Sequence, residues 1–202
     1  KAEHERLVQE FNSQFHKSID ENAQKNMGFS IHLSDKSELK VNEKDFMWVK
    51  HDRSKSQMAT QNNQFDAGTF WIQQGILMWE VPYKDTAQLS ARGVLMNRDS
   101  TLKYNVAGKV KGSYMGTEYD EYYKPKSEVF EYQGAYAVKV YGLWKHLGDD
   151  AAFGGGPFVQ VTIHNEKRNT LLTVCGYIYA PKFDKREYIR EIEALLETIT
   201  IL

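Results

Sequence analysis

The strongest constraint in this chain is a piece of local grammar that occurs twice. A strand-like apolar run ends at Pro82 and is followed by Asp85, Gln88 and helical text. The same order returns at Pro181, Asp184 and Glu187, again between an apolar run and a helix. Each part has a physical cause. Proline cannot donate to a sheet ladder, so it stops the strand. The acidic residue and the Gln or Glu three positions on form a capping box, in which the first side chain accepts from first-turn amides and the second reaches back. Residues before the two prolines match in class without a gap: Trp79 with Ile178, Met78 with Tyr177, Val81 with Ala180. Further upstream only Phe46 to Lys50 and Tyr136 to Val140 align, and weakly. The pattern predicts two tandem halves, each an antiparallel meander followed by a helix. The plainer alternative is common strand-proline-helix grammar repeated by chance.

Periodicity fills in the rest. Leu7, Val8, Phe11, Phe15 and Ile19 form a narrow stripe, predicting one amphipathic helix from Ala2 to about Gln24 that ends near Gly28. The period then changes to two at Phe29, Ile31 and Leu33 and again at Leu39 and Val41, with Phe46 to Val49 as a third short strand. Arg53 to Gly68 is rich in Ser, Gln, Asn and Thr without periodicity and reads as a long exposed loop. Thr69 to Val81 reads as a buried strand, or a hairpin turning near Gln73-Gln74-Gly75, followed by a helix from Asp85 to about Tyr104. Lys109 to Lys126 is a connector. Strands follow around Glu128 to Tyr132, Ala135 to Trp144, Phe158 to Ile163 and Leu171 to Tyr179, and the closing helix runs from about Lys185 to Ile199. The expected fold class is α+β: two tandem antiparallel β-meander-plus-helix halves, sheets covered by helices, plus an N-terminal helix. The expected divisions are 1–27 for that helix, 28–108 for the first half and 109–202 for the second, packed as one unit.

Composition removes several classes of function. Across 202 residues, 26 Lys+Arg stand against 27 Asp+Glu, so no global field attracts a polyanion and a dedicated nucleic-acid role is disfavoured. The single cysteine, Cys175, offers neither an internal disulfide nor a Cys-rich metal framework. It sits inside an apolar strand, where burial raises a thiol pKa and makes it a poor nucleophile. The six histidines show no metal-binding spacing. No apolar run approaches the ~20 residues of a membrane helix. The chain opens at Lys1 directly into helical text and reads as a fragment whose upstream part has been removed; a signal peptide or lipid-anchored cysteine would lie there.

The remaining candidates are modest. Gly154-Gly155-Gly156-Pro157 is followed by no Gly-Lys-Ser/Thr and no helix, so it reads as a flexible loop entering a strand rather than a phosphate cradle. Glu118, Asp120 and Glu121 interleave with Tyr119, Tyr122 and Tyr123, either to orient a polar ligand or as the wet and dry faces of an edge strand. Lys182, Lys185 and Arg186, with Arg190, crowd the start of the last helix against the macrodipole. They are candidates for an anion or lipid-headgroup site, set against a solvated mixed-charge face. Trp144, Phe153 and Phe158 are aromatic candidates for lining a ligand pocket, set against ordinary core. No residue is assigned a catalytic or metal-binding role, and no cofactor is called for.

Several strings carry a family resemblance: Gly112-Ser113-Tyr114-Met115, Thr117-Glu118-Tyr119, Gly142-Leu143-Trp144-Lys145, Gly155-Gly156-Pro157-Phe158-Val159 and Gly176-Tyr177-Ile178-Tyr179-Ala180-Pro181, with Gly75-Ile76-Leu77, Pro82-Tyr83 and Arg98-Asp99-Ser100 upstream. In that order they resemble a Bacteroidetes family of lipoproteins defined by a domain of unknown function. The resemblance implies a cell-envelope location, periplasm or outer membrane, with membrane contact only through a lipid anchor upstream of Lys1. Gly28 to Leu33 is also similar in pattern to small envelope lipoproteins and photosystem-associated proteins. The function expected is non-enzymatic binding of a small ligand or a protein partner. The alternatives are an enzyme with dispersed catalytic residues, or a structural subunit of an envelope complex that uses Ala2 to Ile19 as a partner-binding helix.

Overall fold

The computed structural model describes residues 2–61 and 64–202, with side-chain placement outside 57–67. The N-terminal amphipathic text forms two helices rather than one, α1 (Ala2–Ser13) and α2 (Lys17–Met27). The break has a tertiary cause. The His16 N–H donates to the Leu33 carbonyl at 2.8 Å, and the His16 ring Nδ1 accepts from the Ile19 N–H at 3.4 Å, restarting the helix. Gly28 ends α2 in the left-handed region (φ 68°), its N–H returning to the Gln24 carbonyl. Buried Asp20 on α2 accepts from the Ser30 hydroxyl and the Ile31 N–H through one oxygen and from Gln24 through the other, fixing the helix to the following chain.

The strands are β1 (Phe29–Ser30), β2 (Glu38–Asn42), β3 (Phe46–Gln61), β4 (Gln64–Pro82), β5 (Tyr114–Thr117), β6 (Lys126–Tyr132), β7 (Ala135–Leu147), β8 (Gly155–Asn165), β9 (Thr170–Tyr179) and β10 (Thr200–Ile201). β1 pairs with β10, tying the segment that follows α2 to the last residues of the chain. The others make one antiparallel sheet in the order β2-β3-β4-β9-β8-β7-β5, with β6 sharing the outer edge of β7. The fold is therefore α+β, with meanders β2-β3-β4 and β7-β8-β9 each followed by a helix: α3 (Ala91–Asn105) and α4 (Arg186–Leu196). Pairing of β4 with β9 fuses the meanders into a continuous sheet.

Alternation along the strands divides the core in two. Met47, Val49, Ile76, Met78, Val174 and Ile178 face α2 and α4, whereas Phe46, Leu77, Trp79, Cys175 and Tyr177 face α3. The helices after the two prolines thus lie on opposite faces. The Asp85/Gln88 capping box forms in full before a short 3-10 turn (Thr86–Leu89) that leads into α3. At the second site the expected Asp184/Glu187 box does not form: Lys185 occupies the N-cap without a side-chain bond, Asp184 one residue earlier accepts the Arg186 N–H at 3.0 Å, and α4 starts directly. Capping decides where a helix begins; the apolar stripe it carries decides which face of the sheet it covers.

Two further expectations change. Residues 53–61 and 64–68 are strand, not loop, and 62–63 lie outside the described residues. β9 pairs with β4 only from Gln73 to Pro82, and β2 reaches β3 only as far as Lys50. The rest of the β3-β4 hairpin is a two-stranded ribbon beyond the sheet. Its backbone ladder is satisfied by cross-strand pairing, and Ser54, Lys55, Ser56, Thr69 and Trp71 among its described side chains are exposed, so this stretch of sequence shows no buried period. The glycine run also begins a strand. A Cβ at Gly156 would collide with the Ile178 carbonyl, the same oxygen that accepts the Trp144 indole N–H at 3.0 Å. These glycines permit close backbone approach; they are not a phosphate loop.

Candidate functional site

On the α4 face, a cavity of about 350 Å³ opens between α1, the 33–37 turn, β3, β4 and α4. Its apolar wall is core material, Leu33, Val49, Ile76 and Leu195, and α1 adds the half-buried Phe11 and Leu7 at the mouth. The polar end comes from β3. Met47 and Val49 occupy the inward positions, and the same alternation continues through His51 and Arg53 as β3 leaves the sheet. Arg53 is held by Glu191 of α4, Nη2 to Oε2 at 2.6 Å and Nη1 to Oε1 at 3.3 Å, and its Nη2 also donates to the buried Gln74 side chain. The guanidinium lies 5.1 Å over the Tyr188 ring.

This fork-to-fork pairing neutralises Arg53 and engages both oxygens of Glu191. Two buried polar atoms remain without a partner among the described residues: Arg53 Nε and His51 Nδ1. Burial first, then the adjacent Arg53 charge, lowers the His51 pKa below the ordinary imidazole value, while Glu191 acts weakly in the other direction. The polar end of the cavity is therefore a neutral imidazole beside a compensated ion pair, with open hydrogen-bonding capacity and little net charge.

A second cluster lies under α3. Arg98 is fully buried, between Val94 and Leu102 on the inward stripe of the helix, with its guanidinium 3.9 Å over the Phe158 ring. Its Nη1 donates to Thr117 Oγ1 at 2.7 Å and stands 3.4 Å from Asp99 Oδ1. Asp99 also accepts from the Thr117 N–H and hydroxyl and from the Tyr119 hydroxyl. Arg98 Nε and Nη2 and Gln160 Oε1 have no hydrogen-bond partner among the described residues. Cys175 lies beside Arg98; burial pushes its thiol pKa up and the Arg98 charge pulls part of the way back.

The residues singled out in the sequence fall elsewhere. Lys182 is exposed with its Nζ 5.6 Å over Phe70, Lys185 is the first flanking residue of α4 without a side-chain cap bond, and Arg186 is exposed. Arg190 pairs with Glu3 of α1 at 3.2 Å. Trp144 and Phe158 are both buried in the α3-side core, whereas Phe153 stands fully exposed in the preceding loop and does not join them. Glu118 pairs with Lys145, Tyr119 serves Asp99, and Tyr122 and Tyr123 project into solvent around a short 3-10 turn. His51, Arg53 and Glu191 were not singled out by sequence, yet the signal existed: 47, 49, 51 and 53 share one parity. Arg98 carried a similar signal, standing four residues from both Val94 and Leu102. Among the described residues no helix is long and apolar enough to cross a membrane, and no three metal-type side chains converge.

Among solved structures, the chain is similar to the Ran-binding protein Mog1p of Saccharomyces cerevisiae. The identity is 8%, covering 86% of this chain and 90% of that one, with a TM-score of 0.47. It is also similar to the cyanobacterial PsbP (CyanoP) of Synechocystis sp. PCC 6803, at 10% identity over 83% of this chain and 93% of that one, with a TM-score of 0.39. No curated protein matches the sequence. The pattern of one family does match, over residues 16–198, which takes in α2, the whole sheet and α4: the chain belongs to the family defined by the domain of unknown function DUF4837.

Proposed function

We propose that this protein is a non-enzymatic binding domain of the cell envelope, lipid-anchored upstream of Lys1, that holds a small molecule in the cavity beneath α1. The observation that carries the reading is the cavity itself. At about 350 Å³ it falls within the range of small-ligand sites, and it combines an apolar wall with a few convergent polar groups. Both Glu191 oxygens are taken up by Arg53, which suits a binding role better than proton transfer. The envelope location rests on the resemblance of its sequence strings to Bacteroidetes lipoproteins.

The test is fluorescence titration with the uncharged apolar probe N-phenylnaphthylamine. Saturable, single-site enhancement is expected, and Ile76→Trp, which fills the cavity from its wall, should abolish it while circular dichroism stays unchanged. Undiminished binding by that folded variant, or no binding by the parent, would end the small-ligand reading and leave a protein partner in its place. Labelled palmitate fed to cells expressing the full precursor tests the anchor: incorporation that a Cys→Ser change at the cleavage site removes supports it, and no incorporation sinks it.

A further inference from the structure

We propose that the ligand of this cavity is electrically neutral: a short apolar chain carrying one amide- or ester-type carbonyl. This rests on the cavity being a ligand site, and adds the chemistry of the head group. Arg53 would ordinarily advertise a carboxylate or phosphate. Here its two terminal nitrogens are already engaged by Glu191 and Gln74, so its charge is compensated, and Nε is the buried nitrogen of the group that is left without an acceptor. A carbonyl oxygen satisfies that donor. His51 lies two residues along the same face of β3, on the order of 7 Å away along the strand, and its unpartnered Nδ1 accepts or donates according to tautomer. An amide offers both capacities.

The surrounding charges favour the same head group. Glu10, Lys36 and Asp52, which also line the cavity, are all exposed and carry both signs. The Lys50 ammonium is drawn to the other face of the sheet, 4.6 Å over the Trp48 ring. No uncompensated cation therefore faces the interior among the described residues, and an anionic head would be buried without a counter-charge, as would a cationic one. A neutral carbonyl loses its hydration and regains it as hydrogen bonds to Arg53 and His51.

Competition against N-phenylnaphthylamine separates these outcomes using three molecules that share a chain length: octanamide, octanoate and octylamine. Octanamide should displace the probe with an affinity about tenfold or more above either charged analogue. In Glu191→Gln, which strips Arg53 of its compensation, the ratio should swing about tenfold or more toward octanoate. Equal or tighter binding of octanoate or octylamine to the parent overturns the assignment. So does an unchanged ratio in Glu191→Gln, or probe binding that octanamide cannot displace. Failure of the parent to bind the probe at all is a different result: it removes the cavity reading, and this inference with it.

Discussion

Replacing the buried Arg98 by methionine should cost this protein little, whereas removing its carboxylate neighbour should cost a great deal. In the native fold Arg98 is wholly out of water but makes one good hydrogen bond, to Thr117, with a long approach to Asp99. Its Nε and Nη2 donors are unpartnered. Met retains the packing over Phe158 and loses one charge-assisted bond of ~1.5–3 kcal/mol and a cation–π contact of up to ~2 kcal/mol. It also removes two buried, unsatisfied donors that each cost ~1–3 kcal/mol. These terms nearly cancel, so Arg98→Met should lie within about 2 kcal/mol of the parent in urea-unfolding free energy. Buried ionic groups replaced by apolar side chains of similar volume behave this way.

Asp99→Ala acts differently. It leaves Arg98 in the core without a counter-charge and deprives Thr117 and Tyr119 of their acceptor. Stripping one partner from a buried ionic group costs ~3–5 kcal/mol. The double variant completes the cycle: with Met at 98 there is no cation to strand, and the Asp99→Ala penalty should shrink by at least ~1 kcal/mol. Arg98→Met costing more than ~3 kcal/mol, or an Asp99→Ala penalty unaltered by Met at 98, would refute the reasoning and show that the guanidinium is better satisfied than its contacts indicate.

Three further outcomes are expected. His51 titrates below its ordinary value of 6.5 in the fold, among Arg53, Glu191, Lys36 and Asp52; the unfolded chain therefore takes up its proton first as pH falls. Its contribution is fully present above pH 6.5 and is lost between that value and the lower native pKa, so the urea midpoint should drop on acidification and His51→Gln should flatten the drop. Half-buried His146 shifts in the same direction, so His146→Gln should flatten the drop further. Asp85→Ala, which removes the acceptor for the Ala87 N–H at 2.8 Å, should destabilise by ~1 kcal/mol in thermal unfolding, and Asp85→Asn by much less. Gly156→Ala drives a methyl into the Ile178 carbonyl and should cost ~1–3 kcal/mol or more, with loss of the Trp144 near-ultraviolet signal; an unperturbed spectrum would contradict the close approach.

Legibility tracked the range of the interaction. Asp85/Gln88 and the Gly28 helix end were readable because cap, turn and partner lie within a few residues. The α1-α2 break was not, because its cause is the Leu33 carbonyl, which only tertiary folding brings to His16. The ribbon at 53–61 looked like loop because what makes it strand is the backbone ladder to its antiparallel partner, which leaves no mark on its own composition. At the site, the parity of Met47, Val49, His51 and Arg53 was present in the sequence. It became informative only once β3 was known to run past Lys50.

By itself, then, the sequence determined the α+β class, the grammar of two strand-proline-helix units, and the Asp85/Gln88 and Gly28 caps, which residues set by acting on their own or neighbouring backbone. The tertiary structure decided that β4 and β9 are neighbours and that α3 and α4 cover opposite faces. It also brought Glu191 against Arg53 across 138 residues of chain. Register and helix docking are settled by burying complementary apolar faces from distant segments, and a cavity is what remains where those faces do not meet.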